Sequence, residues 1–398
     1  MNRYFTFLSL CAGAVMLGRA PAAAQHTFTN GNHSLQLSGF VSAYYNHRFL
    51  KEGELNRKNN RFRLRDMQLG LNGRVGKQWA YKVRVDMADL AETAMQSGQT
   101  LDPENPGLMS AFIEYTGLPV DIKVGYDKLP YSQGSMLSFD ESVFWQRGQL
   151  LRGDFFSRRD IGITLTHSMW KQRINLYAGV YTGLGENIIG NNDNDPSGRL
   201  EYVGRADVAY PARYRYVETD ILQVPVPMVR AGINARYTNK AQPAGQQLPS
   251  NIGGEYGLRV MDGKRFAYGW DASFQYRGFS AQFEAQMLHL EPSQAGSDLF
   301  YNTDAEVNKG IIRSGGWQAQ VNYCALPAKS VLSVRYENYN LNDLVAGETQ
   351  RLGIGYAYLI NGYRAVVKLH YYRIMKEDAK LEPLKWTDQV RVGMSYAF

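Results

Sequence analysis

Period-two alternation runs through nearly the whole chain. In the last twelve residues, Val390, Val392, Met394, Tyr396 and Phe398 share one parity, and Gln389, Arg391, Gly393, Ser395 and Ala397 share the other. A strand sends successive side chains to opposite faces, so this segment predicts a strand with one apolar face and one small or polar face. The same reading recurs upstream. Leu35 to Tyr45, Met67 to Val75, Trp79 to Met87, Leu108 to Tyr115, Val120 to Tyr126, Ile161 to Leu165, Ile174 to Val180 and Tyr202 to Tyr210 make eight segments. The second half adds Val229 to Tyr237, Phe266 to Tyr276, Phe279 to Met287, Trp317 to Tyr323, Leu332 to Tyr336, Leu352 to Ile360 and Ala365 to Tyr371. With the terminal segment the count is sixteen.

Each segment alone is a weak signal, and the connections strengthen it. After even segments they are short: Gly76-Lys77-Gln78, Thr116 to Pro119, Arg277-Gly278, Ala325 to Lys329, and Asn361-Gly362. Asn-Gly is a strong two-residue hairpin signal. After odd segments the connections are longer. This predicts an all-β fold, a transmembrane antiparallel barrel of about sixteen strands, closed by the terminal strand so that no edge is left in lipid. One connection does not fit: 211–228, with Pro211, Pro225 and Pro227, stands where a tight turn is expected and is long.

A barrel this wide cannot be filled by its own wall side chains, so it encloses water. The charged parity then lines the water and the apolar parity meets lipid. On the polar parity stand Arg74, Lys82, Arg84, Lys123, Arg173, Arg205, Arg230, Arg236, Arg335, Arg351, Arg364, Lys368 and Arg391. Against them stand Asp66, Asp86, Glu114, Asp121, Asp127, Asp207, Asp271, Glu284 and Glu337. The surplus of cations predicts a mild preference for anions in a low-dielectric tube. Cross-strand ion pairs are the competing use of the same charges.

The longest connection, 131–159, mixes Tyr131, Phe139, Phe144, Trp145, Leu150, Leu151, Phe155 and Phe156 with Arg147, Arg152, Arg158 and Arg159. An external loop has no need of that apolar content, so the segment is expected to fold into the barrel as a constriction. Its four arginines and Lys128 are the candidate constriction residues. Asp127, Asp140, Glu141, Asp154 and Asp160 balance them, so local pairing that merely shapes the loop is the alternative.

The chain opens with basic Met1 to Arg3, an apolar run Tyr4 to Gly18, and Ala22-Ala23-Ala24-Gln25. The run is shorter than the ~20 residues of a spanning helix. It reads as residues 1–24 of a secretory signal peptide cleaved after Ala24, with residues 25–398 as the barrel domain. Removing Cys11 leaves only Cys324, so no internal disulfide is expected. The formal net charge of +7 falls to +5 without Arg3 and Arg19, too mild a bias for a nucleic-acid partner. The six histidines show no metal spacing, Asp193 to Gly198 lacks the Glu that would complete a calcium loop, and no Gly-x-Ser-x-Gly elbow is present. No cofactor, metal or catalytic group is expected. A barrel hydrolase using the lumen-facing His370 and a secreted soluble binding protein stand as alternatives.

Short motifs also carry a resemblance. Arg61-Phe-Arg-Leu-Arg65 leads into Gln68-Leu-Gly-Leu-Asn-Gly73, followed by Ala111-Phe-Ile-Glu-Tyr115 and Ile122-Lys-Val-Gly125 running to Leu129-Pro130-Tyr131. Arg159-Asp-Ile-Gly162 and Tyr202-Val-Gly-Arg205 continue the series. With these the chain resembles the phosphate-selective porin O and P family in its Bacteroidetes-type form. The resemblance implies a sixteen-stranded, usually trimeric porin of the Gram-negative outer membrane with an inward third loop, passing small hydrophilic or anionic solutes. The family's dense lysine and arginine constriction is not matched, since loop 131–159 holds as many acids as bases and lacks a lysine cluster.

Overall fold

The computed structural model describes residues 27–53, 60–88, 107–151, 158–183, 185, 198–240, 263–292, 311–340, 348–377 and 386–398. The amino-terminal apolar run, Arg152 and Phe155-Phe156 of the long loop, and most of the Asp193 to Gly198 segment lie outside them. Seventeen antiparallel strands form one sheet. A short β1 (Thr27–Asn30) precedes sixteen strands that close into a barrel. These are β2 (His33–Leu50), β3 (Asn60–Val75), β4 (Trp79–Asp86), β5 (Leu108–Tyr115), β6 (Asp121–Lys128), β7 (Arg159–Met169), β8 (Ile174–Tyr181) and β9 (Glu201–Tyr210) in the first half. The second half is β10 (Met228–Asn239), β11 (Gly263–Tyr276), β12 (Phe279–Pro292), β13 (Ile312–Ala325), β14 (Ser330–Asn340), β15 (Glu348–Leu359), β16 (Ala365–Glu377) and β17 (Trp386–Ala397). Each strand pairs with its neighbour in sequence, and the ring closes where β17 pairs with β2, Val392 opposite Tyr45 and Met394 opposite Ala43.

The alternating strand β17 makes the closing seam. Phe398 donates to and accepts from the Gly39 backbone, at 3.0 and 2.8 Å. Beyond Gly39 the edge of β2 is taken over by β1, which pairs Thr27 with Gln36 and Asn30 with His33. Along this edge β17 covers Phe40 to Leu50 and β1 covers His33 to Gln36, which limits the amides left toward lipid, where an orphan costs several kcal/mol, of order 2–7.

Polarity follows the parity expected of a water-filled barrel. Met394 is 47% exposed while Arg391 is 3% exposed. Leu69, Leu71, Val83, Val124, Ile163, Ile233, Val334 and Leu369 are likewise exposed on the outer face. Their inward neighbours Gln68, Asn234, Arg335 and Lys368 are buried. Polar atoms inside and apolar atoms outside invert the arrangement of a soluble β fold and suit a wall with lipid on one side and a polar lumen on the other. Among the described residues no helix is long and apolar enough to cross a membrane. The strands are the spanning elements. Two-residue turns such as Arg277-Gly278, both at positive φ (46° and 86°), give the strand-matched twist that hairpins need.

Candidate functional site

Two chain segments enter the lumen, one from each end. The first follows β6. The backbone of Leu129 donates to Arg158 at 2.8 Å, so the segment leaves and rejoins the wall at one point. Between those ends it turns into a short helix α1 (Gln133–Met136), capped by Ser132, whose hydroxyl accepts from the Ser135 N–H at 3.1 Å. Arg147 clamps the far side of the loop onto α1, donating to the carbonyls of Gly134 (2.7 Å) and Leu137 (2.9 Å). Lys128 donates to the same Leu137 carbonyl at 2.8 Å.

The loop then docks across the barrel. The N–H groups of Gln133 and Gly134 donate to Asp271 on β11 and Glu284 on β12, both at 3.2 Å. The Gln149 N–H donates to Glu337 on β14 at 2.8 Å. The Trp145 N–H donates to His370 Nδ1 on β16 at 3.0 Å, and its indole N–H to the Lys368 carbonyl at 3.3 Å. The apolar residues that drew attention to this segment fill the space beneath it. Leu129, Tyr131 and Leu150 pack with Val203, Leu288 and Leu290; Val143 and Phe144 pack with Ala357, Leu359 and Tyr372. Trp145 is fully buried, 5.2 Å from Tyr44 ring to ring.

The second inward segment is residues 211–227, the connection that was too long for a tight turn. It folds up into the barrel instead of spanning the gap between β9 and β10. Arg230 lies 3.7 Å from the centre of the Tyr216 ring, and the Tyr216 hydroxyl bonds Asp207. Asp220 accepts from the N–H groups of Gly278 (2.8 Å) and Val224 (3.1 Å). The Glu218 carbonyl accepts from Asn322 at 2.8 Å and Ser280 at 3.1 Å. The Glu218 carboxylate joins the two inward segments. One oxygen accepts from the Val143 N–H at 2.7 Å, the other from Arg335 at 3.1 Å. Arg215 pairs with Glu141 at 2.5 Å. A space of about 460 Å³ opens between Asp140 and Glu141 on the loop and Arg213, Arg215 and Asp220 on the second segment.

The inward segments fill the lumen unevenly. Along β9 to β17 the wall cations are covered and paired. Arg205 meets Asp271 at 2.6 Å, Arg236 meets Glu201 at 2.7 Å, Arg351 meets Glu337 at 2.5 Å, and Arg230 lies 3.8 Å from Asp271. Lys368 sits 5.3 Å over the Trp145 ring and Arg391 4.8 Å over Tyr44. Along β3 to β8 the wall stays accessible. Arg84 and Lys123 are each 21% exposed, Asp127 is 18% exposed, and Lys82 and Glu114 are half-buried. Facing them from the loop is Asp140, 31% exposed and 3.9 Å from Arg84. Arg74, Arg173 and Arg364 are exposed at the short-turn end. Arg158 and Arg159, at the loop's return to β7, are buried.

Burial alone would raise the Asp140 carboxyl. The Arg84 guanidinium and the Ser138 hydroxyl more than reverse this and hold it below its ordinary value of 3.8. Burial pushes the neighbouring Glu141 above its ordinary 4.5 despite Arg215. Two adjacent carboxyls at the open passage thus titrate in opposite directions. Among the described residues no group of His, Cys, Asp and Glu is assembled to hold a metal.

Known structures share this architecture. An anion-selective porin from Comamonas acidovorans superposes with TM-score 0.54 at 13% identity, over 92% of this chain and 100% of that one. The outer-membrane channel DcaP of Acinetobacter baumannii gives TM-score 0.53 at 13% identity, over 93% and 99%. The trimer form of Vibrio cholerae OmpT gives TM-score 0.53 at 14% identity, over 92% and 99%. At these identities the likeness is one of fold. No curated protein matches in sequence. The model of the family described as phosphate-selective porin O and P matches residues 39–220, a span from β2 through the Glu218 and Asp220 segment. Over residues 39–220 the chain is similar to the phosphate-selective porin O and P family, and its barrel shares the fold of the outer-membrane channels above.

Proposed function

We propose that the protein is a passive diffusion channel for small hydrophilic solutes with a mild preference for anions. The observation that carries this reading is the uneven filling of the lumen. The β9 to β17 half is packed by the two inward segments, and at the level of the loop the accessible wall charges Lys82, Arg84, Glu114, Lys123 and Asp127 lie on the β3 to β8 side. Solutes pass between Lys82, Arg84 and Lys123 on the wall and Asp140 and Glu141 on the loop, which makes 131–159 the constriction. The low-dielectric wall beside this passage focuses the field of its cations. Glu114, Asp127, Asp140 and Glu141 offset Lys82, Arg84 and Lys123, and exposed Arg213 and Arg215 across from Glu141 leave a small positive balance, so selectivity is weak and a dedicated phosphate site is not implied. Of the candidate constriction residues, Arg147 and Lys128 serve to shape the loop, which fits the alternative use of those charges.

Residues 1–24 act as a cleaved export signal, and the chain assembles as a homotrimer, as in the trimer form of Vibrio cholerae OmpT, an outer-membrane protein of the same fold. His370, on which the catalytic alternative rested, is fully buried and its Nδ1 accepts from the Trp145 N–H, so that reading is not favoured. Purified, folded protein in a planar bilayer tests the proposal. Stepwise conductance, with a reversal potential in a potassium chloride gradient displaced modestly toward chloride, is expected. Absence of conductance, or a preference for potassium, would overturn it.

A further inference from the structure

The short turns at the end of the barrel opposite the 129–151 loop carry charge of one sign. Among the described residues of the seven turns from 76–78 to 360–364, every exposed charged side chain is Lys or Arg. The two acids there, Glu218 and Asp220, are buried in the folded-in segment. The opposite rim differs: Lys51 pairs with Glu377, Lys264 with Glu291 and Lys376 with Glu348.

Four of these cations have an exposed apolar residue within three positions in the chain. Lys77 precedes Trp79, 49% exposed. Lys171 follows Trp170, 76% exposed. Arg277 precedes Phe279, 38% exposed, and its guanidinium lies 5.2 Å over the ring of Tyr276, a residue on the outward parity. Lys329 follows Leu326, 41% exposed. The pairs fall in the β3–β4, β7–β8, β11–β12 and β13–β14 turns, spread around the ring. An apolar side chain that touches acyl chains, with a cation beside it, occupies the level at which headgroup phosphates lie.

We propose that this collar binds the phosphates of anionic phospholipids in the leaflet facing the short turns, which in outer-membrane barrels is the periplasmic one. Anionic cell-wall polymer is the competing partner for a basic periplasmic surface. The apolar neighbour at each cation favours lipid, because a polymer held in water has no use for it. Each Lys or Arg near an anionic surface contributes about a fivefold gain in affinity.

The test uses the full folded chain in vesicles of phosphatidylcholine with or without phosphatidylglycerol. It is compared with a variant combining Lys77→Gln, Lys171→Gln, Arg277→Gln and Lys329→Gln, and with Lys264→Gln at the other rim. Spin-labelled phosphatidylglycerol reports the motionally restricted lipid per barrel, and conductance confirms that each protein is folded. The expected result is at least fivefold selection of phosphatidylglycerol over phosphatidylcholine. It is lost in the fourfold variant, retained in Lys264→Gln and weakened by salt. Equal restriction of both lipids by the parent, or unchanged selection in the fourfold variant, overturns the proposal. So does charge-dependent sedimentation with purified peptidoglycan in the absence of lipid selection.

Discussion

Glu218 is the side chain whose loss should most directly release the constriction. Its backbone carbonyl bonds to Asn322 and Ser280 survive truncation, so Glu218→Ala leaves the 211–227 segment docked. The substitution removes only the carboxylate shared by the Val143 N–H and Arg335. Breaking a buried ion pair by removing one partner costs about 3–5 kcal/mol. Arg335 keeps bonds to Gln320 (2.7 Å), the Gln146 carbonyl (2.9 Å) and the Tyr372 hydroxyl (3.0 Å), which argues for the lower figure. The orphaned Val143 amide adds about 1–3 kcal/mol unless water reaches it. The loop should lose roughly 3 kcal/mol of anchoring, a factor of more than a hundred in the population of undocked states. Single-channel recordings of Glu218→Ala are expected to show larger unitary conductance with open-channel noise, and Glu218→Gln, which can still accept from Val143, should fall between. Limited proteolysis should cut within 133–149 in the variant and not in the parent. A folded Glu218→Ala barrel with the parent's conductance, noise and protease resistance would refute the idea that this carboxylate holds the loop.

Trp145→Ala removes a fully buried ring and should destabilise the loop by about 3–5 kcal/mol while the hydrogen-bonded wall persists. Protease sensitivity of the loop with unchanged strand content by circular dichroism checks this. The combined Arg84→Glu and Lys123→Glu variant should turn the reversal potential toward cations, because these two cations face the accessible side of the lumen. Selectivity should also depend on pH. Glu141, raised above its ordinary 4.5 by burial, neutralises first as pH falls from 7, while Asp140, held low by Arg84, stays charged. One negative charge leaves the passage and anion preference rises, a change that Glu141→Gln should abolish. The stability signs are opposite. Burial of ionised Glu141 opposes folding at neutral pH and is relieved on acidification through its raised value. The Asp140 contribution is present above 3.8 and is lost as pH falls through its depressed one.

The barrel was legible because water inside and lipid outside impose a strict parity, with Arg391 and Met394 on opposite faces of one strand. Connection lengths supplied the up-and-down order. The loop after β6 was legible as an inward segment from Phe144, Trp145, Leu150 and Leu151, apolar residues with no place in water. What parity cannot say is which wall charges are covered. Arg205, Arg236, Arg335 and Arg351 sit on the same face as Arg84 and Lys123, yet Arg236 and Arg351 pair with a neighbouring strand while Arg205 and Arg335 reach Asp271 and Glu218 farther along the chain. The 211–227 segment was missed as a functional element because it has no periodicity. Its signal was a mismatch: Arg213-Tyr-Arg-Tyr216, Glu218 and Asp220 are too much chemistry for a turn.

The order in which the anchors are synthesised has a consequence for assembly. Among the described residues, the loop between β6 and β7 meets Tyr44 and Arg84 in the strands made before it. Asp271, Glu284, Arg335, Glu337 and His370 all lie more than a hundred residues downstream. Contacts so distant along the chain form late. A half-inserted or truncated barrel lacking β16 and β17 would therefore be a wide leak, and the passage would acquire its bore only when the last hairpin meets the first strand.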